Sequence, residues 1–188
     1  MVLLGVVSLT AVAWKAVVPG IEPAVTEIRL PLRHEDIIRQ QARDKSLDPA
    51  LVAAVIYAES RFRDQQESSA GALGLMQVTP DTASDIAKAS GGSAFVLGDL
   101  HTPQVNIAYG TYRLRQMMDR FDDQIPVAVA AYNAGPENAK VWLARDRAQG
   151  RGFTVADIPF AETRHYVDKV LDAREDYRRT YPSELGLD

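Results

Sequence analysis

The sequence of 188 residues contains no cysteine and only three histidines, and each shortage excludes a class of site. Without cysteine the chain has no disulfide, no thiolate nucleophile and no cysteine-ligated zinc. The segment HEDII that starts at His34 lacks the second histidine of a zinc-protease helix, and the other two histidines stand far apart in sequence. A nucleophile elbow, a P-loop and a dinucleotide fingerprint are also missing from the sequence. We therefore expect neither a metal nor another cofactor.

Basic residues are not in excess, since 21 lysines and arginines face 25 aspartates and glutamates, for a net charge of −4. A chain that binds nucleic acid usually carries a basic excess, so we expect no nucleic-acid partner. Sustained alternation of apolar and polar residues, which is typical of half-buried strands, is absent as well. The length suits one domain with a hydrophobic core and an appendage. Nothing in the composition identifies a protein partner.

The first eighteen residues differ from the rest, because fourteen of them are apolar and Lys15 is the only charged residue before Glu22. Three interpretations compete: an uncleaved membrane anchor, a signal peptide cleaved after the AVA of residues 11–13, and a buried core helix. The anchor is favoured over the signal peptide because a basic region before the apolar run is missing. A core helix is disfavoured because Pro19 and the residues after it read as a linker over residues 19–31.

Both favoured interpretations place the rest of the chain outside the cytoplasmic membrane. An anchor on residues 1–18 would hold it at the outer face of that membrane, in contact with the lipid through this segment. A cleaved signal would release it into the periplasm or the cell wall.

From Leu32 onward the sequence repeats a helix-start signal, a capping residue followed by proline, and apolar residues recur after it at helical spacing. Another apolar segment ends at Gly135, where a proline follows that cannot continue a helix. We predict a mainly α fold, with one helical domain over residues 32–182 and a tail over residues 183–188. The three start signals are Asp48-Pro49, Thr79-Pro80 and Thr102-Pro103.

One carboxyl group stands out, that of Glu59, because it ends a segment (residues 50–58) that is apolar nearly all the way round. Burial at the end of such a helix disfavours the charged form of a carboxyl group and raises its pKa. A raised pKa suits a general acid that works near neutral pH. The structural alternative is that Glu59 is the first solvated residue after a buried run, paired with Arg61 or Arg63. Glu59 considered alone favours that alternative.

Two other segments contain residues that can face a ligand. Residues 69–77, which we call the glycine-rich loop, include Gly71 and Gly74, and glycine permits tight turns and close approach of a ligand. Residues 131–135 place Tyr132 and Asn133 at the end of a predicted helix. Each segment also has an ordinary explanation: a connector between helices, a core aromatic residue, and an amide that bonds to a helix end.

Five segments, taken in order, resemble the lytic transglycosylases of the soluble-lytic-transglycosylase (SLT) domain family, which are relatives of goose-type lysozyme. The resemblance covers roughly residues 36–178. It implies a single lysozyme-like helical domain with a substrate cleft. The apolar composition of residues 1–18 separately predicts an N-terminal hydrophobic helix before it. Each segment is a weak signal alone, but the shared order and spacing are specific. The segments are AESRF (58–62), SAGALGLMQVTP (69–80), DLHTPQVNI (99–107), AAYNAGP (130–136) and IPFAETRHYV (158–167).

The resemblance implies cleavage of the β-1,4 bond between N-acetylmuramic acid and N-acetylglucosamine, with peptidoglycan glycan strands as the binding partner. Glu59 matches the family's single catalytic glutamate, which protonates the glycosidic oxygen. The same glutamate then acts as base while the muramoyl C6 hydroxyl closes on C1, so that a 1,6-anhydro end forms without water. The alternatives are a hydrolase of the same bond, as in goose-type lysozyme, and a catalytically silent wall-binding scaffold on this fold.

The resemblance also assigns substrate-binding residues. Met76 and Gln77 in the glycine-rich loop, with Tyr132 and Asn133 at the helix end, match cleft residues that hold the sugars. Tyr166 matches the tyrosine that hydrogen-bonds near the catalytic glutamate.

Three further positions follow from the same comparison of motifs. Ser60, which we group with the substrate-binding residues, follows the glutamate in much of the family and is expected to fix that turn. Glu162 is the nearest rival acid, but in the family it belongs to the closing helix, and we interpret it as structural. Glu137 stands where the family often has another glycine, so that turn departs from the family pattern.

Overall fold

The computed structural model describes residues 28–89 and 96–188. The chain divides into two units, Met1–Leu32 and Arg33–Asp188. The apolar segment 1–18, for which an anchor, a signal peptide or a core helix is expected, lies outside the described residues, as does most of the expected linker. Within the described residues, every helix is too short or too polar to cross a membrane.

The unit Arg33–Asp188 is built from helices, which confirms the prediction of a mainly α fold. In its described residues, extended pairing is limited to two isolated bridges, Glu67 with Leu73 and Leu73 with Val78. Two short 3₁₀ helices cover Leu97–His101 and Val155–Asp157. The α-helices are α1 (Glu35–Asp44), α2 (Pro49–Ser60), α3 (Pro80–Ala89), α4 (Pro103–Arg120), α5 (Ile125–Ala134), α6 (Pro136–Ala148), α7 (Ala161–Thr180) and α8 (Pro182–Leu185).

The three predicted helix starts are confirmed, and each of those helices has proline as its first residue. Asp48 caps α2, because its carboxylate accepts a hydrogen bond from the backbone N–H of Ala50 at 3.0 Å. Thr79 accepts from the N–H of Thr82 at 3.2 Å in the first turn of α3. Thr102 makes no such bond at the start of α4, so Pro103 is the local start signal there.

Helix α2 lies in the middle of the core. Residues 50–56 of this helix are all buried, and its most extensive packing is against α7. The start of α2 is joined to α7 by Asp48, whose carboxylate binds Arg174 at 2.6 Å and Arg178 at 3.0 Å. Helix α7 also packs on α5, so α7 connects the central helix α2 with α5.

Packing continues beyond residue 182, where we expected the domain to end. The short helix α8 lies against α1 and α7. Leu185 is buried, and Arg39 of α1 donates a hydrogen bond to the carbonyl of Glu184. Part of the expected tail is therefore packed on the helical body.

Candidate active site

Glu59 lies in the last turn of α2, and the backbone turns sharply directly after it. Arg61 and Phe62 have left-handed φ angles of 52° and 60°, a conformation that residues with side chains rarely adopt. The side chain of Phe62 is only 1% exposed, and its ring centroid lies 6.1 Å from that of Tyr177. The core therefore holds the turn that follows Glu59 in an unfavourable conformation, as is common next to functional residues.

The carboxyl group of Glu59 is half-buried and bonded to α7. Its Oε1 accepts a hydrogen bond from the hydroxyl of Tyr166 at 2.7 Å. Burial raises the pKa of Glu59 from 4.5 to about 7, while the Tyr166 hydrogen bond and the positive charge of Lys169 act in the opposite direction. About half of the Glu59 carboxyl groups therefore carry a proton at neutral pH. This is the state that a general acid needs.

Tyr166 is a reliable donor to Glu59. Burial, together with the negative charge of Glu59, raises the pKa of Tyr166 well above 10. Its hydroxyl therefore keeps its proton over the whole range in which Glu59 titrates, and it can stabilise the Glu59 carboxylate once that forms.

Helix α5 ends beside the same carboxyl group and is joined there to the glycine-rich loop. The hydroxyl of Tyr132 donates to the carbonyl of Met76 at 2.9 Å. Burial and the negative charge of Glu59 raise the pKa of Tyr132 well above 10. Met76 is fully buried, and its N–H and carbonyl are both hydrogen-bonded within the protein, so this structure leaves the residue inaccessible to the sugar contact expected at this position.

Asn133 follows Tyr132 and is exposed to solvent. The hydroxyl of Thr163, which is buried on α7, donates to Oδ1 of Asn133 at 2.8 Å. Since this bond uses the amide oxygen, the amide nitrogen of Asn133 remains as a donor towards a ligand.

The glycine-rich loop is held against the helical body by one buried amide, Asn106 of α4, which is 1% exposed. Its Oδ1 accepts from the N–H of Met76 at 2.8 Å, and its Nδ2 donates to the carbonyls of Leu73 and Leu100, both at 2.8 Å. Gly74 is required for this contact, because a Cβ at that position would lie 2.2 Å from Nδ2 of Asn106.

Gln77 ends the loop with a left-handed φ of 48°. Its Nε2 donates to the carbonyls of Gln66 at 3.1 Å and Gly74 at 2.9 Å. Both bonds use the amide nitrogen, so the amide oxygen of this half-buried side chain can accept a hydrogen bond from a ligand.

The structure thus brings Glu59, Tyr132 and Tyr166 together. Asn133 is bonded to α7 through Thr163, and Gln77 follows Met76, whose carbonyl Tyr132 binds. Ser60 instead faces the core, where its Oγ donates to the carbonyl of Ile56 at 3.1 Å, a geometry that suits the expected role in the turn. Glu162 is exposed in the first turn of α7, where an acidic residue interacts favourably with the helix dipole. The described residues contain no cluster of three or more histidines and carboxylates that could bind a metal ion.

Three contributing residues were not singled out from the sequence: Asn106, Thr163 and Lys169. Asn106 and Thr163 lie inside the quoted segments 99–107 and 158–167, but nothing local shows which backbone or side-chain group they bind. Lys169 follows Tyr166 by three residues, and a spacing of three places both on one face of α7. That spacing is the signal that could have found it.

Residues 36–152 match the transglycosylase SLT domain. Over 156 residues the chain is 36% identical to a soluble lytic murein transglycosylase of Salmonella typhimurium, an alignment that covers 81% of this chain and 24% of that protein. The chain therefore spans about a quarter of the length of this relative.

Solved structures show the same likeness. The 70 kDa soluble lytic transglycosylase of Escherichia coli superposes with a TM-score of 0.78 at 33% identity, over 86% of this chain and 26% of that one. An inactive glutamate-to-glutamine mutant of the lytic transglycosylase Slt from Pseudomonas aeruginosa gives a TM-score of 0.74 at 31% identity, over 82% and 25% of the two chains. The likeness covers one part of each of these larger proteins.

Proposed function

This chain belongs to the transglycosylase SLT domain family, and we propose that it cleaves the β-1,4 bond between N-acetylmuramic acid and N-acetylglucosamine in peptidoglycan, leaving a 1,6-anhydro end. The observation that carries the proposal is the pairing of Glu59, with a pKa of about 7, with the Tyr166 hydroxyl at 2.7 Å. A glutamate-to-glutamine mutant of the Pseudomonas aeruginosa relative is inactive, which supports an essential glutamate.

In the first step, protonated Glu59 donates its proton to the glycosidic oxygen, and the bond from that oxygen to C1 of the muramoyl residue breaks. Positive charge develops at C1, and the acetamido group of the same sugar shelters it. The Glu59 carboxylate that results accepts the Tyr166 hydrogen bond, which is stronger for a charged acceptor than for a neutral one.

In the second step, the Glu59 carboxylate removes the proton of the C6 hydroxyl while O6 attacks C1. The proton that Glu59 gave up is thereby restored, the glycan is cut in two, and no water is consumed. The usual glycoside hydrolysis needs a second carboxylate, but an intramolecular hydroxyl has a high effective molarity when the sugar ring is held in a suitable shape.

Two amides, those of Asn133 and Gln77, can provide that hold on the sugars. The free amide nitrogen of Asn133 suits a carbonyl or hydroxyl oxygen, and the free amide oxygen of Gln77 suits a hydroxyl or amide N–H. The chain as a whole carries a net charge of −4, so we expect hydrogen bonds in a shaped cleft, rather than bulk attraction, to recognise the acidic wall polymer.

The identity of the product tests the proposal. Mass spectrometry of purified peptidoglycan digested with the protein should show muropeptides lighter by one water than the products of a hydrolase. Reducing-end products would instead identify a hydrolase of the same bond. Absence of any product would identify a wall-binding scaffold, and either outcome would contradict the lyase.

The rate should depend on pH through Glu59. Because the proton donor has a pKa of about 7, we expect kcat/KM to fall towards tenfold per pH unit above 7, with about 1% of the donor protonated at pH 9. Initial rates on soluble glycan fragments between pH 5 and 9 would measure this decline. Circular dichroism at each pH would separate it from unfolding. A flat profile in a folded protein would contradict the assignment of Glu59.

We also propose that the domain acts at the outer face of the cytoplasmic membrane, held there by residues 1–18. Support comes from the fourteen apolar residues in this segment and its single charge at Lys15. Sequencing the N-terminus of the mature protein distinguishes this location from release after signal cleavage, since a start near Trp14 would show cleavage.

A further inference from the structure

Helix α7 places a positive side chain, that of Lys169, against the end of α2 beside Glu59. Its Nζ donates to the carbonyl of Ala58 at 2.9 Å and lies 5.4 Å from the centre of the Tyr57 ring. Both residues directly precede Glu59 in the chain. A cation bound to a carbonyl in the last turn also interacts favourably with the dipole of α2.

We propose that Lys169 is a positioning residue of this site, which fixes the last turn of α2 and balances the negative charge that forms on Glu59. The inference rests on the proposed function, because the negative charge that Lys169 balances forms when Glu59 donates its proton. Lys169 touches Ala58 and Tyr57, not the reacting bond, so it acts through Glu59.

The groups that face Glu59 come from two helices. From α7, Tyr166 bonds to the carboxyl group and Lys169 acts on it through its charge. From α5, Tyr132 lies close enough to experience the charge of Glu59. Two arginines act one step away: Arg61 on Lys169, and Arg113 on Tyr132.

Burial and Lys169 have opposite effects on Glu59, and the reaction needs both. Burial raises the pKa of Glu59, so that the proton is retained at neutral pH. The charge of Lys169 lowers it, so that the proton is released more readily to the glycosidic oxygen. Without Lys169, Glu59 would be a weaker acid.

A purely structural role for Lys169 predicts the opposite sign. If its loss only loosened the last turn of α2, water would reach Glu59 and its pKa would fall towards 4.5. If the charge matters, its loss raises the pKa of Glu59. The direction of the shift therefore separates the two roles.

The experiment compares Lys169→Gln, which keeps an N–H donor without the charge, with Lys169→Arg, which keeps both. The carboxyl carbon of Glu59 is titrated by ¹³C NMR in full-length protein, and its signal is assigned from its absence in Glu59→Gln. We expect the pKa of Glu59 to rise by roughly half a unit or more in Lys169→Gln and to stay near the wild-type value in Lys169→Arg. Lys140→Gln, at an exposed lysine of α6, is the control for the loss of one charge.

The pH–rate profile provides the second measurement. In Lys169→Gln the alkaline limb should move to higher pH by as much as the pKa of Glu59 rises in the titration. In Lys169→Arg it should lie at the wild-type position. A Glu59 pKa that is unchanged or lower in folded Lys169→Gln would overturn the proposal. If that variant does not fold, Lys169→Met, with an uncharged side chain of similar length, replaces it in the same titration.

The two proposals fail separately. The NMR titration needs no turnover, so it tests Lys169 even if the wild-type protein releases no anhydro product. Conversely, anhydro products with an unshifted Glu59 pKa in Lys169→Gln would retain the lyase and reject the role of Lys169.

Discussion

Replacing Glu59 by glutamine is expected to reduce kcat by roughly 10²–10⁴-fold, because glutamine can neither donate the proton to the glycosidic oxygen nor remove the C6 hydroxyl proton. Glutamine has nearly the same shape, so the contacts of the cleft should persist. We therefore expect binding of glycan fragments to stay within a few-fold of wild type. Turnover of purified peptidoglycan, together with calorimetric binding of a fragment, measures both quantities.

The same variant should also change stability, with a sign that depends on pH. Between pH 4.5 and about 7 the unfolded chain ionises its glutamate while the folded protein retains the proton, so wild type loses stability as pH rises. Glutamine does not ionise. Glu59→Gln should therefore match wild type near pH 4 and exceed it at pH 8 by up to about 3 kcal/mol in the free energy of unfolding.

Glu162→Gln is the matched control, since Glu162 is an exposed acid of α7. We expect it to retain near wild-type turnover and to lack the pH-dependent gain in stability. Wild-type rates in Glu59→Gln would falsify the assignment of the acid. Loss of turnover in both variants would show that turnover depends on the loss of one negative charge rather than on proton transfer by Glu59.

The second large effect is expected on stability, from Asn106→Ala. The substitution removes the side-chain partner of two buried backbone groups, the N–H of Met76 and the carbonyl of Leu100. It also removes one of the two donors to the carbonyl of Leu73, which still accepts from the N–H of Val78 at 3.0 Å. An unsatisfied buried group costs about 1–3 kcal/mol, so we expect a loss of roughly 2–4 kcal/mol in the free energy of unfolding. For a chain of this size, that loss lowers Tm by about 5–15 °C. Thermal and urea unfolding would measure it.

Turnover by folded Asn106→Ala should fall as well, because the glycine-rich loop loses its main attachment to α4 and Gln77 loses its fixed place. The control is Asn138→Ala on α6, where the side chain makes one bond, to the carbonyl of Ala134 at the end of α5, at 2.8 Å. Alanine favours a helix, so this variant should lose less than about 1 kcal/mol. Equal losses in the two variants would contradict the role of Asn106.

Sequence reasoning predicted the helix starts well because their causes are local. The proline after Asp48 or Thr79 lacks an N–H, which the first residue of a helix could not bond within the helix. The capping oxygen lies only two or three residues before the N–H whose hydrogen bond it accepts. The expected end of the domain at residue 182 had no such local basis. The burial of Leu185 depends on α1, more than a hundred residues earlier in the chain, so the extent of packing could not be predicted from nearby residues.

The candidate acid was predictable for a related reason. The apolar character of residues 50–58 follows from composition, and burial of those residues is the largest cause of the raised pKa of Glu59. The family resemblance then favoured catalysis over the alternative of a solvated residue paired with an arginine. The burial of Met76 could not be predicted in this way. The resemblance places this position near the cleft but does not show whether its side chain points into the cleft or into the core.

From the sequence alone, the helical class and the starts of three helices could be determined, since each depends on residues within a few positions of one another. The family resemblance added Glu59 as the candidate acid. The tertiary structure alone decided which groups meet Glu59. Tyr166 and Lys169 reach the end of α2 across more than a hundred residues, as Asn106 reaches the glycine-rich loop from α4. The absence of cysteine excludes disulfides, so packing and hydrogen bonds bring these groups together. The pKa of Glu59 therefore depends on the tertiary structure, because Glu59 is buried and close to Lys169 only when α2 and α7 have packed together.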